Sequence, residues 1–234
     1  CGLTITSYEQ VHGGDINLAY CLYTSDAKYF LKVNDALLYP AMFEKEAKGL
    51  KALSENLGII NVPRVLKPGL AGKDQYLLLD WIDGGKPGKD LMERFGSAMA
   101  NMHQKGAPYF GWEENNYIGS LQQDNTIHDS WYSFYTQCRI MPLVQVLFNA
   151  GAFSKQDIAV AETLCRKISQ RFPQEPPSLL HGDLWAGNFM IASSGEAAIF
   201  DPAVYYGHRE MDIGMTKLFG GFDNKFYSAY QEEF

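Results

Sequence analysis

Cysteine is scarce in this 234-residue chain and scattered: Cys1, Cys21, Cys138 and Cys165 stand far apart, with no paired metal-ligand spacing. A disulfide scaffold and a zinc ribbon are thereby excluded as organising devices, and the thiols are expected to be free. The five histidines include no His-Glu-x-x-His arrangement, so a catalytic zinc of that kind is not expected. No apolar run reaches the roughly 18 residues of a spanning helix, and the N-terminus lacks a basic segment followed by an apolar one. A soluble, cytoplasmic protein without a membrane partner is the simplest expectation. Lys and Arg form no dense run and the formal net charge is −7, which argues against a nucleic-acid partner while leaving room for a local basic pocket. Neither an internal repeat nor a low-complexity linker interrupts the chain.

Apolar residues, in contrast, are plentiful: 46% of the chain is hydrophobic, enough for a sizeable core in one domain or two small lobes. Tyr8–Val11, Asn17–Tyr23 and Lys28–Val33 read as strands, separated by His12-Gly13-Gly14-Asp15 and Thr24-Ser25-Asp26. The pair Gly13 and Gly14 would let backbone amides approach a phosphate, and it equally makes an ordinary hairpin turn. Alternation puts Phe30 and Lys32 on one strand face. From Met42 to Leu57, the residues Phe43, Glu46, Leu50, Leu53 and Leu57 recur at helical spacing, which sets Glu46 inside the apolar stripe. A carboxylate on a buried face needs a cation. Lys32 is the candidate, giving the strand-Lys to helix-Glu pair that holds ATP phosphates in kinases. Tyr76–Ile82 reads as a buried strand and Asp83–Gly88 as the connector leaving it, with adenine contacts expected near Asp80 to Ile82. From about Leu91 to Phe172 the pattern is mostly helical; His103 reads as a structural histidine, and Trp131, Tyr132, Phe134 and Tyr135 as core.

The chemistry concentrates in His181-Gly182-Asp183-Leu184-Trp185-Ala186-Gly187-Asn188 and Ile199-Phe200-Asp201-Pro202. Phosphoryl transfer needs a carboxylate to orient the attacking hydroxyl, and oxygen ligands to hold magnesium on the nucleotide phosphates. Asp183 suits the first role, Asn188 and Asp201 the second. The Asp183–Asn188 interval equals that of the protein-kinase catalytic loop, with Gly182 replacing its Arg. Phe189–Ala192 and Ala197–Phe200 read as two short strands around a Gly-containing turn, a hairpin that would bring Asn188 and Asp201 together at its open end.

These residues resemble the fructosamine kinase family, the ketosamine 3-kinases, relatives of aminoglycoside phosphotransferases and choline kinases. The more specific likeness lies in Gly13-Gly14-Asp15-Ile16-Asn17, Met42-Phe43-Glu44-Lys45-Glu46, Asn116-Tyr117-Ile118-Gly119-Ser120, His181-Gly182-Asp183-Leu184-Trp185, and the run Asp201–Glu210 with Asp212. The resemblance implies an α+β, protein-kinase-like two-lobe fold: a nucleotide-binding lobe, 1–82, of antiparallel sheet plus one helix, and a larger, mainly helical catalytic and substrate lobe, 83–234. It implies ATP and Mg2+ as cofactors and phosphorylation of the 3-hydroxyl of a ketoamine, small or protein-linked, leading to deglycation. Asp183 would orient that hydroxyl, Lys32 and Glu46 would pair in the nucleotide lobe, and Asn188 and Asp201 would bind magnesium. Trp185 would form a wall against the sugar, His208 and Arg209 would line the substrate entrance or support the loop, and Asp212 would brace the catalytic loop. The short interval from Asp201 to Asp212 leaves little room for a peptide-docking activation segment, which favours a sugar acceptor. Asp15 stands where some members carry a cysteine, so their redox-linked dimerisation is not carried over, and Ala186 stands where Ser or Gly is more usual. Against that family the chain is expected to be truncated at its C-terminus. Two other readings are open: a kinase for a different hydroxylated amine, of the aminoglycoside or choline type, and a noncatalytic nucleotide-binding module.

Overall fold

The computed structural model describes residues 2–11, 16–169 and 171–234. Three antiparallel strands open the chain, β1 (Ser7–Val11), β2 (Leu18–Tyr23) and β3 (Lys28–Asp35), followed by helix α1 (Met42–Ser54) and strands β4 (Val65–Ala71) and β5 (Asp74–Asp80). They form one five-stranded antiparallel sheet in the order β1-β2-β3-β5-β4. Its register sets Lys32 between Ala19 and Leu77, so the lysine stem is wrapped in apolar strand neighbours. Helix α1 lays Phe43 and Leu50 on the sheet side, turns Leu53 into the cluster that holds Leu91 and Phe95, and exposes Glu44, Lys48 and Lys51, as its apolar stripe requires. The helix expected over 42–57 is regular only to Ser54: Glu55–Leu57 continue as a turn and Gly58, at φ +56°, ends it, with Leu57 still buried.

The remainder is mostly helical, with α2 (Leu91–His103), α3 (Trp131–Tyr135), α4 (Met141–Asn149), α5 (Lys155–Ser169), α6 (Glu210–Leu218) and α7 (Asn224–Glu233). A π turn over Thr136–Ile140 joins α3 to α4. Short strand pairs interrupt the helices: β6 (Asn116–Ile118) with β7 (Leu121–Gln123), β8 (Ser178–Leu180) with β11 (Tyr205–Gly207), and β9 (Phe189–Ile191) with β10 (Ala197–Ile199). Helices α2 and α7 pack so closely that a Cβ on Gly96 would fall 2.2 Å from the Phe226 carbonyl oxygen. Phe95, Met99 and Phe226 are buried around that contact, each large side chain removed from water stabilising the fold by about 1.5–3 kcal/mol. A separate apolar cluster of Phe43, Leu50, Leu77 and Leu79 lies between α1 and the five-stranded sheet, and a third gathers Trp131, Phe134 and Tyr205. Tyr132, read as core from its neighbours, faces outward because it falls on the far side of α3.

The β9–β10 hairpin is held on both edges. On the β9 side, Gly85 N–H donates to the Ile191 carbonyl and Ser193 N–H to the Asp83 carbonyl; on the β10 side, Asn61 N–H donates to Ala197 and Ile199 N–H to Asn61. The connector from the sheet and the turn after α1 therefore both dock on the hairpin whose open end carries Asn188 and Asp201.

Candidate active site

Leaving β8, the chain enters a loop fixed by one buried carboxylate. Asp212 on α6 accepts from His181 N–H at 2.7 Å and Gly182 N–H at 2.9 Å, and lies 3.2 Å from His103 Nε2, whose other ring nitrogen meets the Tyr230 hydroxyl at 2.7 Å. Burial alone would raise the Asp212 pKa; the hydrogen bond and charge of His103, together with His181 and the Gly182 backbone N–H, reverse that and hold it below the usual carboxylate range. Gly182 has φ +84°, and a Cβ there would sit 2.0 Å from the Ala203 carbonyl oxygen. The arginine of the protein-kinase loop cannot stand at this position without moving that backbone. His181 is fully buried, its pKa lowered chiefly by that burial, and its Nε2 lies 3.1 Å from the Phe200 carbonyl.

Asp183 follows with its carboxylate directed at Asn188: the Asn188 amide nitrogen donates to Asp183 Oδ2 and to the Asp183 carbonyl, each at 2.9 Å. Burial, with the nearby charges of Asp201 and Asp212, pushes the Asp183 pKa up to about 6 against the opposing pull of the Asn188 hydrogen bond. Because the amide nitrogen points to Asp183, the Asn188 amide oxygen is left without a partner among the described residues. Asp201 holds a left-handed backbone, φ +56°, uncommon for a residue with a side chain. Its Oδ1 lies 2.7 Å from Lys32 Nζ, which also reaches Glu46 Oε1 at 2.8 Å and Oε2 at 3.0 Å. Burial disfavours the Lys32 ammonium, but Asp201 and Glu46 outweigh it and raise its pKa. Burial likewise pushes Glu46 upward against the attraction of Lys32.

Lys32, Glu46, Asp183, Trp185, Asn188 and Asp201 thus line one cavity of about 240 Å³. Asn17 and Ile16 border it, as do Lys45, Asn116 and Tyr117, none of which carried a role in the sequence reading. Lys45 stands over the Tyr117 ring at 5.3 Å, a pairing between α1 and β6 that no local spacing could reveal. The Trp185 indole covers Gly187, where any Cβ would come within 2.2 Å of it. Gly13 and Gly14 lie outside the described residues. Asp80 ends β5 with its carboxylate accepting from Arg64 N–H at 2.6 Å, and neither it nor Ile82 lines this cavity. His208 and Arg209 are not brought to it either. His208 is buried beside Phe172 and Trp131, and Arg209 makes a bidentate pair with Glu175 at 2.8 and 3.0 Å and stacks on Phe234. A second cavity of about 260 Å³ near Trp131 and Phe172 contains none of the phosphotransfer groups.

Asp201 and the amide oxygen of Asn188 are hard oxygen donors, of the kind a magnesium ion takes beside phosphate and water. A family model described as fructosamine kinase matches residues 2–234. The chain belongs to the fructosamine kinase family. It is 40% identical over 228 residues to a protein of Synechocystis sp. named a probable ketoamine kinase, an alignment covering 97% of this chain and 76% of that protein. It is 38% identical over 235 residues to the chloroplastic protein-ribulosamine 3-kinase of Arabidopsis thaliana, covering 97% and 69%. A crystal structure of a candidate fructosamine-3-kinase from Haemophilus somnus superposes with a TM-score of 0.89 at 28% identity, covering 99% of this chain and 77% of that one. The fold is the protein-kinase-like α+β fold also found in aminoglycoside phosphotransferases. This fructosamine kinase is an ATP-using phosphotransferase with a hydroxyl group as acceptor. Among the described residues no helix is long and apolar enough to cross a membrane.

Proposed function

We propose that this fructosamine kinase transfers the γ-phosphoryl group of ATP to the 3-hydroxyl of a ketosamine, a fructosamine or ribulosamine borne by lysine or a protein, and so promotes deglycation. The observation that carries the reading is the convergence of Asp183, Asn188 and Asp201 with the Lys32–Glu46 pair around one cavity. The names of the relatives supply the acceptor class and the 3-position. Residues 1–82 serve as the nucleotide lobe and 83–234 as the catalytic and substrate lobe in this reading.

Asp183 accepts the hydrogen bond of the 3-hydroxyl on Oδ1, since Oδ2 is occupied by Asn188, and takes the proton as the new O–P bond forms and the bond from the γ-phosphorus to the bridging oxygen breaks, ADP leaving with that oxygen. Its raised pKa makes it a better acceptor than an ordinary aspartate while leaving it ionised at neutral pH. Lys32, fixed by Glu46, meets the nucleotide phosphates. Asp201 and the amide oxygen of Asn188 would hold magnesium, and the bound ion would supply charge neutralisation at the phosphates. Asp212, through His181 N–H and Gly182 N–H, keeps Asp183 where the acceptor meets it. Trp185 offers an apolar face to the sugar. Backbone groups from Asp80 to Ile82 meet the adenine.

The test is magnesium-dependent ADP release with fructosyl-lysine and ribulosyl-lysine, alongside unmodified lysine and the Asp183→Asn variant. Release only with a ketosamine and only by the wild type supports the reading. Preference for a free amino alcohol over every ketosamine overturns it in favour of an aminoglycoside or choline type of kinase, and ATP binding without transfer to any acceptor overturns it in favour of a noncatalytic module.

A further inference from the structure

An exposed aromatic side chain stands beside the catalytic loop. Phe219, the first residue after α6, is 65% exposed, and Leu218 next to it is 66% exposed. The Phe219 ring meets the Trp185 indole edge to face, centroids 5.3 Å apart and planes at 66°. Trp185 in turn lines the cavity that holds Asp183, its indole lying against Gly187. A large apolar ring left in water ordinarily gains by turning inward; here the chain does not let it.

The segment is pinned on both sides. The Tyr227 hydroxyl accepts from Phe222 N–H at 3.1 Å and meets Thr216 Oγ1 at 3.0 Å, tying the last turn of α6 to the residue that follows the loop. Phe222 is packed among Phe95, Phe189 and Phe226, with centroid separations of 5.2–5.6 Å. Between these anchors, Gly220 and Gly221 take φ values of +103° and +77°, a backbone path open to glycine that turns the chain sharply after Phe219. The result is a held aromatic corner, Trp185 inside and Phe219 outside, leading away from Asp183.

We propose that Phe219 is a specificity-determining residue that receives the hydrocarbon stem of the amine carrying the sugar. The inference rests on the ketosamine reading above. In a ketosamine the chain O3–C3–C2–C1–N is continuous, so placing O3 at Asp183 and the sugar against Trp185 sends the amine outward. That nitrogen is a secondary amine, cationic at neutral pH, and the methylenes beyond it are apolar. An indole and a phenyl ring set edge to face suit both parts: the cation meets a ring face, and the methylenes meet apolar surface. A lysine-borne ketosamine has a long stem to lay on Phe219, whereas one borne by glycine has a single methylene and then a carboxylate.

The experiment measures kcat and KM of wild type, Phe219→Ala and Phe219→Tyr with fructosyl-lysine and fructosyl-glycine at saturating ATP, and the KM for ATP separately. Loss of one ring contact should raise the KM of Phe219→Ala for fructosyl-lysine roughly three- to tenfold, with kcat and the KM for ATP unchanged and fructosyl-glycine much less affected. Phe219→Tyr keeps the ring and should stay near wild type. An equal change in KM for both carriers, no change for either, or a fall in kcat alone overturns the assignment while leaving the ketosamine reading intact. A wild type that turns over neither these adducts nor their ribulosyl counterparts overturns that reading, and this inference with it.

Discussion

Lys32 Nζ lies 2.7 Å from Asp201 Oδ1, joining the central strand of the five-stranded sheet to a residue 169 positions later in the chain. The same ammonium is held by both oxygens of Glu46, and the lysine side chain is only 3% exposed. One cation therefore satisfies two carboxylates that the fold brings together from a helix and a hairpin end.

Replacing Lys32 by Met removes that cation and leaves Glu46 buried against Asp201. Breaking a buried ion pair from one side typically costs about 3–5 kcal/mol, and the lower end of that range is expected because Asp201 is partly exposed. Urea unfolding at pH 7 measures it. Nucleotide binding should weaken in the same variant, and unchanged stability would show that the triad is held by its surroundings rather than by the charge.

Asp183 gives a pH dependence with a definite sign. Its native pKa is pushed up to about 6, above its ordinary value, so the native state binds its proton more tightly than the unfolded chain. Ionisation then opposes folding, fully above pH 6 and not at all well below pH 4. Asp183→Asn should consequently stabilise the protein at pH 7 by about 1–2 kcal/mol, a figure discounted for the partial exposure of the group, and the gain should vanish as pH falls toward 4. Turnover should be abolished in that variant. In the wild type, kcat/KM should fall as pH is lowered and the proton acceptor is lost, up to tenfold per unit once Asp183 is mostly protonated, read from initial rates with metal and nucleotide saturating.

Most of the sheet and much of the site were legible in the sequence because their signals are local. Alternation fixed the face of Lys32, helical spacing placed Glu46 in the apolar stripe, and the turn between Ala192 and Ala197 announced the hairpin that joins Asn188 to Asp201. Lys45, Asn116 and Tyr117 were not legible as cavity residues, because they meet only when α1 packs beside β6. The sequence also could not place His208 and Arg209. Both are polar and close in sequence to Asp212, yet one is enclosed by Trp131 and Phe172 and the other is drawn to Glu175. Phe219 carried no signal in the sequence, because its exposure and its contact with Trp185 arise only from tertiary packing.

Gly182 tests whether the departure from the protein-kinase loop is tolerated in reverse. Even Gly182→Ala should destabilise the protein, since a side chain at φ +84° is strained by about 1–2 kcal/mol and its Cβ meets the Ala203 carbonyl oxygen at 2.0 Å. A total loss of roughly 2–4 kcal/mol is expected when that overlap is relieved by moving the loop. Turnover should fall with it, because Gly182 N–H is one of the two donors to Asp212. A urea midpoint equal to wild type would mean that the Ala203 backbone gives way freely.

Asp201→Ala separates metal binding from the Lys32 network. The substitution removes one oxygen ligand for magnesium and one of the two carboxylates on Lys32, but leaves Lys32 held by both oxygens of Glu46. The fold should therefore lose less than in the Lys32 variant, about 1 kcal/mol or less for a partner that is 36% exposed. Affinity for ATP should lose much of its dependence on magnesium, because an amide oxygen from Asn188 alone is a weak anchor for a cation that binds through one or two carboxylates and phosphate. Titrating nucleotide by calorimetry at several magnesium concentrations reads this directly. The same metal dependence in variant and wild type would place the ion elsewhere, and would leave the contact between Asp201 and Lys32 as a structural tie between the sheet and the hairpin.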